Sequence, residues 1–208
     1  METDLSHITN LTELEQTAKS CTLCALGQTR TNVVFGVGNP SSDLVFVGEA
    51  PGFHEDQKGE PFVGAAGRYL DELLITVLGL TRKDIYIANV LKCRPPGNRD
   101  PQPEEIQHCR QFLNKQIELI KPKVICSLGN HASRVILDKS LNISKVHGQP
   151  VNFDKHWIFP TYHPAAALYT GKIKEILIED FKKLGEILAQ DSLADKGESD
   201  TIKQMDLF

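Results

Sequence analysis

The run Leu44-Val45-Phe46-Val47 is apolar at every position, and Gly48-Glu49-Ala50-Pro51-Gly52 ends it abruptly. A strand with one wet face alternates apolar and polar residues. A run without alternation is a strand covered on both faces, as in a parallel sheet. Two glycines and a proline leave Glu49 at the carboxyl end of that strand, the edge where open α/β sheets bind ligands. Thr161-Tyr162-His163-Pro164 repeats the arrangement at a second strand end.

The remaining chain keeps to this plan. Strands are predicted at 43–47, 84–91, 123–128 and 156–161, with helical patterns between them at 66–78, 103–120, 130–138 and 173–189. The helix at 103 opens on Pro103-Glu104-Glu105, a proline and two acids suited to a first turn. Residues 1–20 read as a short amphipathic helix with Leu11, Leu14 and Ala18 on one face and Thr12 or Asn10 as its cap. Alternating strands and helices imply an α/β fold, a mostly parallel sheet with helices on both faces. A chain of 208 residues fits one such domain.

Net charge is −4. Residues 191–208 carry Asp191, Asp195, Glu198, Asp200 and Asp206 against Lys196 and Lys203. The tail therefore holds most of the negative charge, and a near-neutral body does not exclude nucleic acid. This polar segment is expected to be a flexible tail behind a domain at 1–190. Met1–His7 has neither the basic region nor the apolar core of a secretory signal, and no run approaches the ~20 residues of a membrane span. A cytoplasmic monomer is expected.

Five cysteines in a reducing compartment make disulfides a poor first reading. Cys21 and Cys24 form a C-x2-C pair, Cys93 follows the second predicted strand, and Cys109 lies within the helix at 103–120. Four thiolates can hold zinc or an iron–sulfur cluster, and the spacing does not separate the two. Cys126, inside Val124-Ile125-Cys126-Ser127-Leu128, reads as a small core residue.

Together these motifs resemble the family 4 uracil-DNA glycosylases of bacteria and archaea. The resemblance rests on Gly48-Glu49-Ala50-Pro51-Gly52, Glu55-Asp56, Gly59-Glu60-Pro61-Phe62-Val63-Gly64, Tyr86 through Pro96, His163-Pro164-Ala165 and the four-cysteine spacing. It covers roughly residues 10–188, with separate motifs in one order. It implies a three-layer α/β/α single domain, removal of uracil from DNA, and a [4Fe-4S] cluster on Cys21, Cys24, Cys93 and Cys109 that braces nearby loops.

Uracil offers two carbonyl acceptors and an N–H donor, which one asparagine amide can match while mismatching cytosine. Asn89, at a strand end, suits that task; the alternative is a cap. Phe62 is the candidate to stack on an extruded base, with core packing as its alternative. Breaking the glycosidic bond leaves negative charge on the base and positive charge on the sugar. His163 is the expected hydrogen-bond donor to the base, and Glu49 the carboxylate near the sugar or its attacking water. Gly48, Ala50 and Glu55 are expected to shape the pocket. His54 and Asp56 read as solvated. Lys92, Arg94 and Arg99, with the turns at Gly129 and Gly148, are weaker candidates for phosphate contacts.

The family pattern places apolar residues and an arginine after its histidine. Here Ala165-Ala166-Ala167-Leu168-Tyr169-Thr170 follows, so Leu168 is the candidate wedge and Tyr169 stands where arginine is expected. The last residues, with Gln204, Met205, Leu207 and Phe208, resemble the peptide by which bacterial proteins bind the sliding clamp. The leading expectation is a glycosylase acting on uracil-containing DNA. The alternatives are a uracil-DNA binding or cross-linking protein without turnover, and an iron–sulfur electron carrier. Neither strand preference nor activity on other deaminated bases is legible here.

Overall fold

The computed structural model describes residues 4–137, 139–153 and 155–189. In chain order the elements are α1 (Leu11–Lys19), α2 (Leu26–Thr29), β1 (Val37–Gly38), β2 (Leu44–Gly48), α3 (Phe53–Lys58) and α4 (Ala65–Leu73). A π-helical turn over Leu74–Leu78 extends α4 before β3 (Tyr86–Asn89), and a tight turn at Pro96–Asn98 precedes α5 (Pro103–Ile120). Then come β4 (Val124–Leu128), α6 (Gly129–Leu137), α7 (Ile143–Val146), β5 (Val151–Phe153), β6 (His156–Thr161), α8 (Pro164–Ala167) and α9 (Gly171–Ala189).

The sheet has six strands in the order β1-β3-β2-β4-β6-β5. The inner four are parallel, with Val45 opposite Tyr86 and Ile125, and Cys126 opposite Phe159. β1 and β5 pair antiparallel on the two edges. Neither edge strand is predicted from the sequence: two or three residues carry too little apolar pattern to be read.

Alternation along the buried strands sorts the core into two halves. Val45, Val47, Tyr86, Ala88, Ile125 and Ile158 face Leu14 and Ala18 of α1, Phe112 and Leu113 of α5, and Ala132 and Ile136 of α6. Leu44, Phe46, Ile85, Ile87, Cys126 and Phe159 face Tyr69, Leu70 and Leu73 of α4 and Leu177, Phe181 and Leu184 of α9. The Phe46 and Phe181 rings stack with centroids 5.7 Å apart. This is the expected three-layer α/β/α domain, and Cys126 is wholly buried within it.

Local signals explain the helix starts. Asn10 caps α1, its side chain accepting from the Glu13 N–H at 3.0 Å. α5 begins at Pro103, as predicted, on a reciprocal cap between Gln102 and Glu105. Several short helices, α2, α3, α7 and α8, lie in loops too brief to show helical periodicity. The clamp-like residues Gln204, Met205, Leu207 and Phe208 lie outside the described residues, as does the rest of 190–208. Among the described residues, no helix is long and apolar enough to cross a membrane.

Candidate active site and four-cysteine site

Four parallel strands deliver their carboxyl ends to one edge of the sheet. Gly48 ends β2 and pairs with Asn89, which ends β3. The chain beyond β3 stays pinned alongside: the Val90 N–H donates to the Gly48 carbonyl at 2.9 Å and the Leu91 N–H to that of Glu49 at 3.0 Å. β4 runs into Gly129 and β6 into His163.

Asn89 is 2% exposed. Its main-chain carbonyl accepts from Lys92 Nζ at 2.7 Å, and its side-chain amide lies at the corner between Gly48 and the Phe62 ring. Gly48 makes room for it, because a Cβ there would overlap Asn89 Oδ1 and the Phe62 ring. Phe62 is buried and adopts a positive φ of 55°, rare for a bulky residue. Arg82 holds it there, its Nη1 donating to the Pro61 carbonyl at 3.1 Å and its Nη2 to the Phe62 carbonyl at 2.5 Å. Asp71 anchors Arg82 through a 2.6 Å ion pair. Neither residue was predicted, since nothing local marks an arginine 20 residues away as a loop anchor.

Glu55 completes the loop. Its Oε1 accepts from the Val63 and Gly64 N–H groups at 2.9 and 3.0 Å, so it orders the segment that carries Phe62. Asp56 corrects an expectation: it is buried, not solvated, and accepts from the Thr31 N–H at 2.9 Å. Its neighbour His54 is exposed as expected.

His163 is partly buried, and its ring stacks beside Phe62 with centroids 5.5 Å apart. Burial lowers its pKa to about 4, with Glu55 opposing the shift, so the imidazole is neutral at ordinary pH. Its Nδ1 accepts from the Ala165 N–H at 3.1 Å. That assigns the ring proton to Nε2, leaving one neutral donor. Gly129, at φ 86°, allows the close approach: a Cβ there would lie 3.2 Å from His163 Cβ.

Glu49 lies 4.0 Å from His131 Nδ1, and His131 Nε2 lies 3.8 Å from Asp100. Burial raises the Glu49 pKa, His131 opposes that, and Asp100 adds to it. His131, at the start of α6, went unread in the sequence because it sits in an otherwise ordinary helix. Ala50 packs beside the buried Val47 and Ala88 core.

The weaker DNA candidates separate. Arg94 is partly exposed, its guanidinium 5.1 Å from the Phe53 ring centre and its Nε donating to Asn98 at 2.7 Å. Leu168 and Tyr169 are 47% and 88% exposed. Arg99 instead grips Glu105 with two bonds of 2.9 and 2.6 Å. Lys92 is fully buried and is no phosphate contact. Gly148 turns against Asp180, a buried carboxylate that accepts from Thr161 at 2.6 Å and meets His147 Nδ1 at 3.0 Å.

Cys21, Cys24, Cys93 and Cys109 line one small enclosed pocket together with Leu23, Leu26, Leu91 and Phe112. The Lys92 N–H donates to Cys109 Sγ at 3.1 Å and Arg30 Nη1 to Cys93 Sγ at 3.4 Å. Burial pushes the Cys109 thiol up to about 12 and raises Cys93 as well, so a bound cation is what would hold them as thiolates. Four thiols gathered at one enclosed pocket are a donor set that fits a metal centre, zinc or iron–sulfur. Elsewhere, Glu49, Asp100 and His131 bring ligand atoms within 4.8 Å of one another.

An amide, an aromatic ring, a neutral imidazole and a carboxylate thus meet at the carboxyl edge of a parallel sheet, the place where α/β enzymes bind their ligands. The model of the uracil DNA glycosylase superfamily matches residues 35–184, and the chain belongs to that superfamily. Within it the chain falls among the type-4 proteins. It is 47% identical to a type-4 uracil-DNA glycosylase of Sulfurisphaera tokodaii, over 86% of this chain and 84% of that one. It is also 47% identical to one of Archaeoglobus fulgidus, over 86% and 93% of the two chains. The type-4 enzyme of Thermotoga maritima is 46% identical over 82% of this chain and 90% of its own.

Proposed function

We propose that the protein hydrolyses the bond between uracil and deoxyribose in DNA, leaving an abasic site. The observation that carries this is the Asn89 amide, held at a strand end beside Gly48 and the Phe62 ring. An amide edge beside an aromatic ring suits a flipped base, whose own edge must be matched. Asn89 donates to uracil O4 and accepts from N3–H; cytosine presents an amino group and an acceptor at those places. Phe62 stacks on the base, a contact of about 1–3 kcal/mol.

As the glycosidic bond breaks, electrons pass to the base and charge gathers on O2. His163, neutral and protonated on Nε2, donates there without protonating uracil in the ground state. The carboxylate of Glu49 offsets the positive charge on the sugar and orients the water that adds to it. Glu55 acts indirectly, by holding the Val63–Gly64 turn. Arg94 and Leu168 contribute to holding the opened duplex.

Cys21, Cys24, Cys93 and Cys109 are the residues that would hold a [4Fe-4S] cluster, supplying a covalent brace between the loop after α1, the loop after β3 and α5. That chemistry suits a reducing cytoplasm. The tail residues Gln204, Met205, Leu207 and Phe208 would bind a sliding clamp as a short peptide, concentrating the enzyme on replicated DNA.

The test of the activity is an oligonucleotide with one uracil, treated with the protein and then alkali. Strand scission at the uracil, and none at thymine in the same position, is the expected result. No scission at equimolar protein, with retained binding to the uracil strand, would overturn turnover. Iron and zinc analysis of anaerobically purified protein tests the cysteines: iron without zinc is expected, and stoichiometric zinc would refute the cluster.

A further inference from the structure

Lys92 is the largest unexplained charge in the molecule. It is fully buried, yet its side chain faces no carboxylate within salt-bridge range among the described residues. Its Nζ donates to the Asn89 carbonyl at 2.7 Å and to Gln116 Oε1 at 2.6 Å. Gln116 is itself buried and fixed, its Nε2 donating to the Phe35 carbonyl at 2.9 Å and to the Tyr86 hydroxyl at 3.3 Å. The Phe35 ring lies 6.0 Å from Nζ. Neutral oxygens satisfy the ammonium's donors but do not cancel its charge, and an uncancelled buried charge is expensive.

The compensation lies on the other side. The backbone N–H of Lys92 donates to Cys109 Sγ, and Cys93 is the next residue in sequence. Lys92 also belongs to the lining of the pocket that the four cysteines share. Four thiolates around a group that does not fully neutralise them would supply the missing negative charge through a short, dry path.

We propose that Lys92 is a positioning residue that ties the four-cysteine site to the base-reading strand end. Its ammonium is the counter-charge of the occupied site, and the same ammonium anchors the main chain of Asn89. Occupancy of the cysteines and the seating of the uracil-reading amide are thereby one linked event. This rests on the cluster reading given above.

The experiment uses the full, iron-loaded chain with Lys92→Met, which removes the charge at similar length, and Gln116→Glu, which keeps the lysine and hands it a carboxylate. Both variants should lower the midpoint potential of the cluster, because a nearby net positive charge favours the added electron. Lys92→Met should also release iron to a chelator about tenfold faster and raise KM for a uracil oligonucleotide more than it lowers kcat. A merely structural lysine would not move the potential in one direction in both variants. If Lys92→Met does not load iron, Gln116→Glu decides the matter alone. Iron-loaded variants with unmoved potential overturn the role of Lys92 while leaving the cluster in place. A wild-type chain without iron removes the cluster reading and this proposal together.

Discussion

Asn89 and His163 occupy strand ends, and each is useful because of what its neighbours lack. Gly48 has no Cβ to cover the Asn89 amide, and the Ala165 N–H leaves His163 only one proton to offer. His163→Ala is expected to slow single-turnover excision of uracil by roughly 10²–10³-fold, the scale of a lost oxyanion donor. Gly48→Ala is expected to raise KM and lower kcat together, since the new methyl displaces both Asn89 and Phe62; rapid-quench rates on one uracil substrate check both. The pH profile separates the two acid–base groups. The His163 pKa of about 4 keeps the imidazole neutral well below 6.5, so it does not limit the rate near neutrality. Burial raises the Glu49 pKa, so this carboxylate is lost to protonation at a higher pH than an ordinary one. The acid limb of kcat is therefore expected above the usual glutamate range and to vanish in Glu49→Gln, leaving a low, flat rate. The same shift bears on stability with a definite sign. A histidine depressed on folding favours the native state fully above its unfolded value near 6.5, and that contribution fades as pH falls toward about 4.

The loop between α3 and α4 shows how elements, rather than residues, hold the stacking ring. Glu55 from α3 and Arg82 from the turn before β3 converge on residues 61–64, and Asp71 from α4 holds Arg82. Gly67 of α4 lets the Phe62 carbonyl sit directly against the helix, where any Cβ would collide with it. Arg82→Ala is expected to raise KM about tenfold with a smaller change in kcat, and to cost about 1–3 kcal/mol in urea unfolding through the carbonyls it leaves unpaired. This arrangement was only half legible in the sequence. Phe62 and Glu55 stand within one motif, and the motif could be read. Asp71 and Arg82 come from other elements, and a single sequence has no local signature for a contact made across a fold. Asp56 was misread for the same reason, because its burial is created by the Thr31 and Asn32 N–H groups from a distant loop. The strands and long helices were legible because apolar periodicity is a local property. The edge strands β1 and β5 were not, because antiparallel pairing at an edge depends on the neighbour and not on their own composition.

Across the whole molecule, the four-cysteine site and the pocket are neighbours rather than independent parts. Asn89 and Cys93 are close in sequence, so the segment after β3 serves both at once. Chelation of the cluster is expected to lower the thermal midpoint and to raise KM for uracil before it abolishes excision; a chelator titration followed by calorimetry and kinetics checks the order. Removal of the tail, residues 191–208, is expected to leave excision from a short oligonucleotide within about twofold, since it lies beyond the residues that the superfamily model matches. On a circular substrate loaded with a clamp, the same truncation should lose the acceleration the clamp gives to the full chain.

The carboxyl edge of the sheet gathers the strand-end residues of the pocket, and the turn before β3 leads into the opposite end of that strand. Gly79, at φ 67°, sits in that turn with no atom near its missing side chain. Such a place is a natural attachment point. A fluorophore attached at Gly79 would sit before the amino end of β3, away from the strand ends that carry Gly48 and Asn89. The protein could then be followed along DNA, or tethered to a surface, without a probe competing for the ground that the nucleic acid occupies.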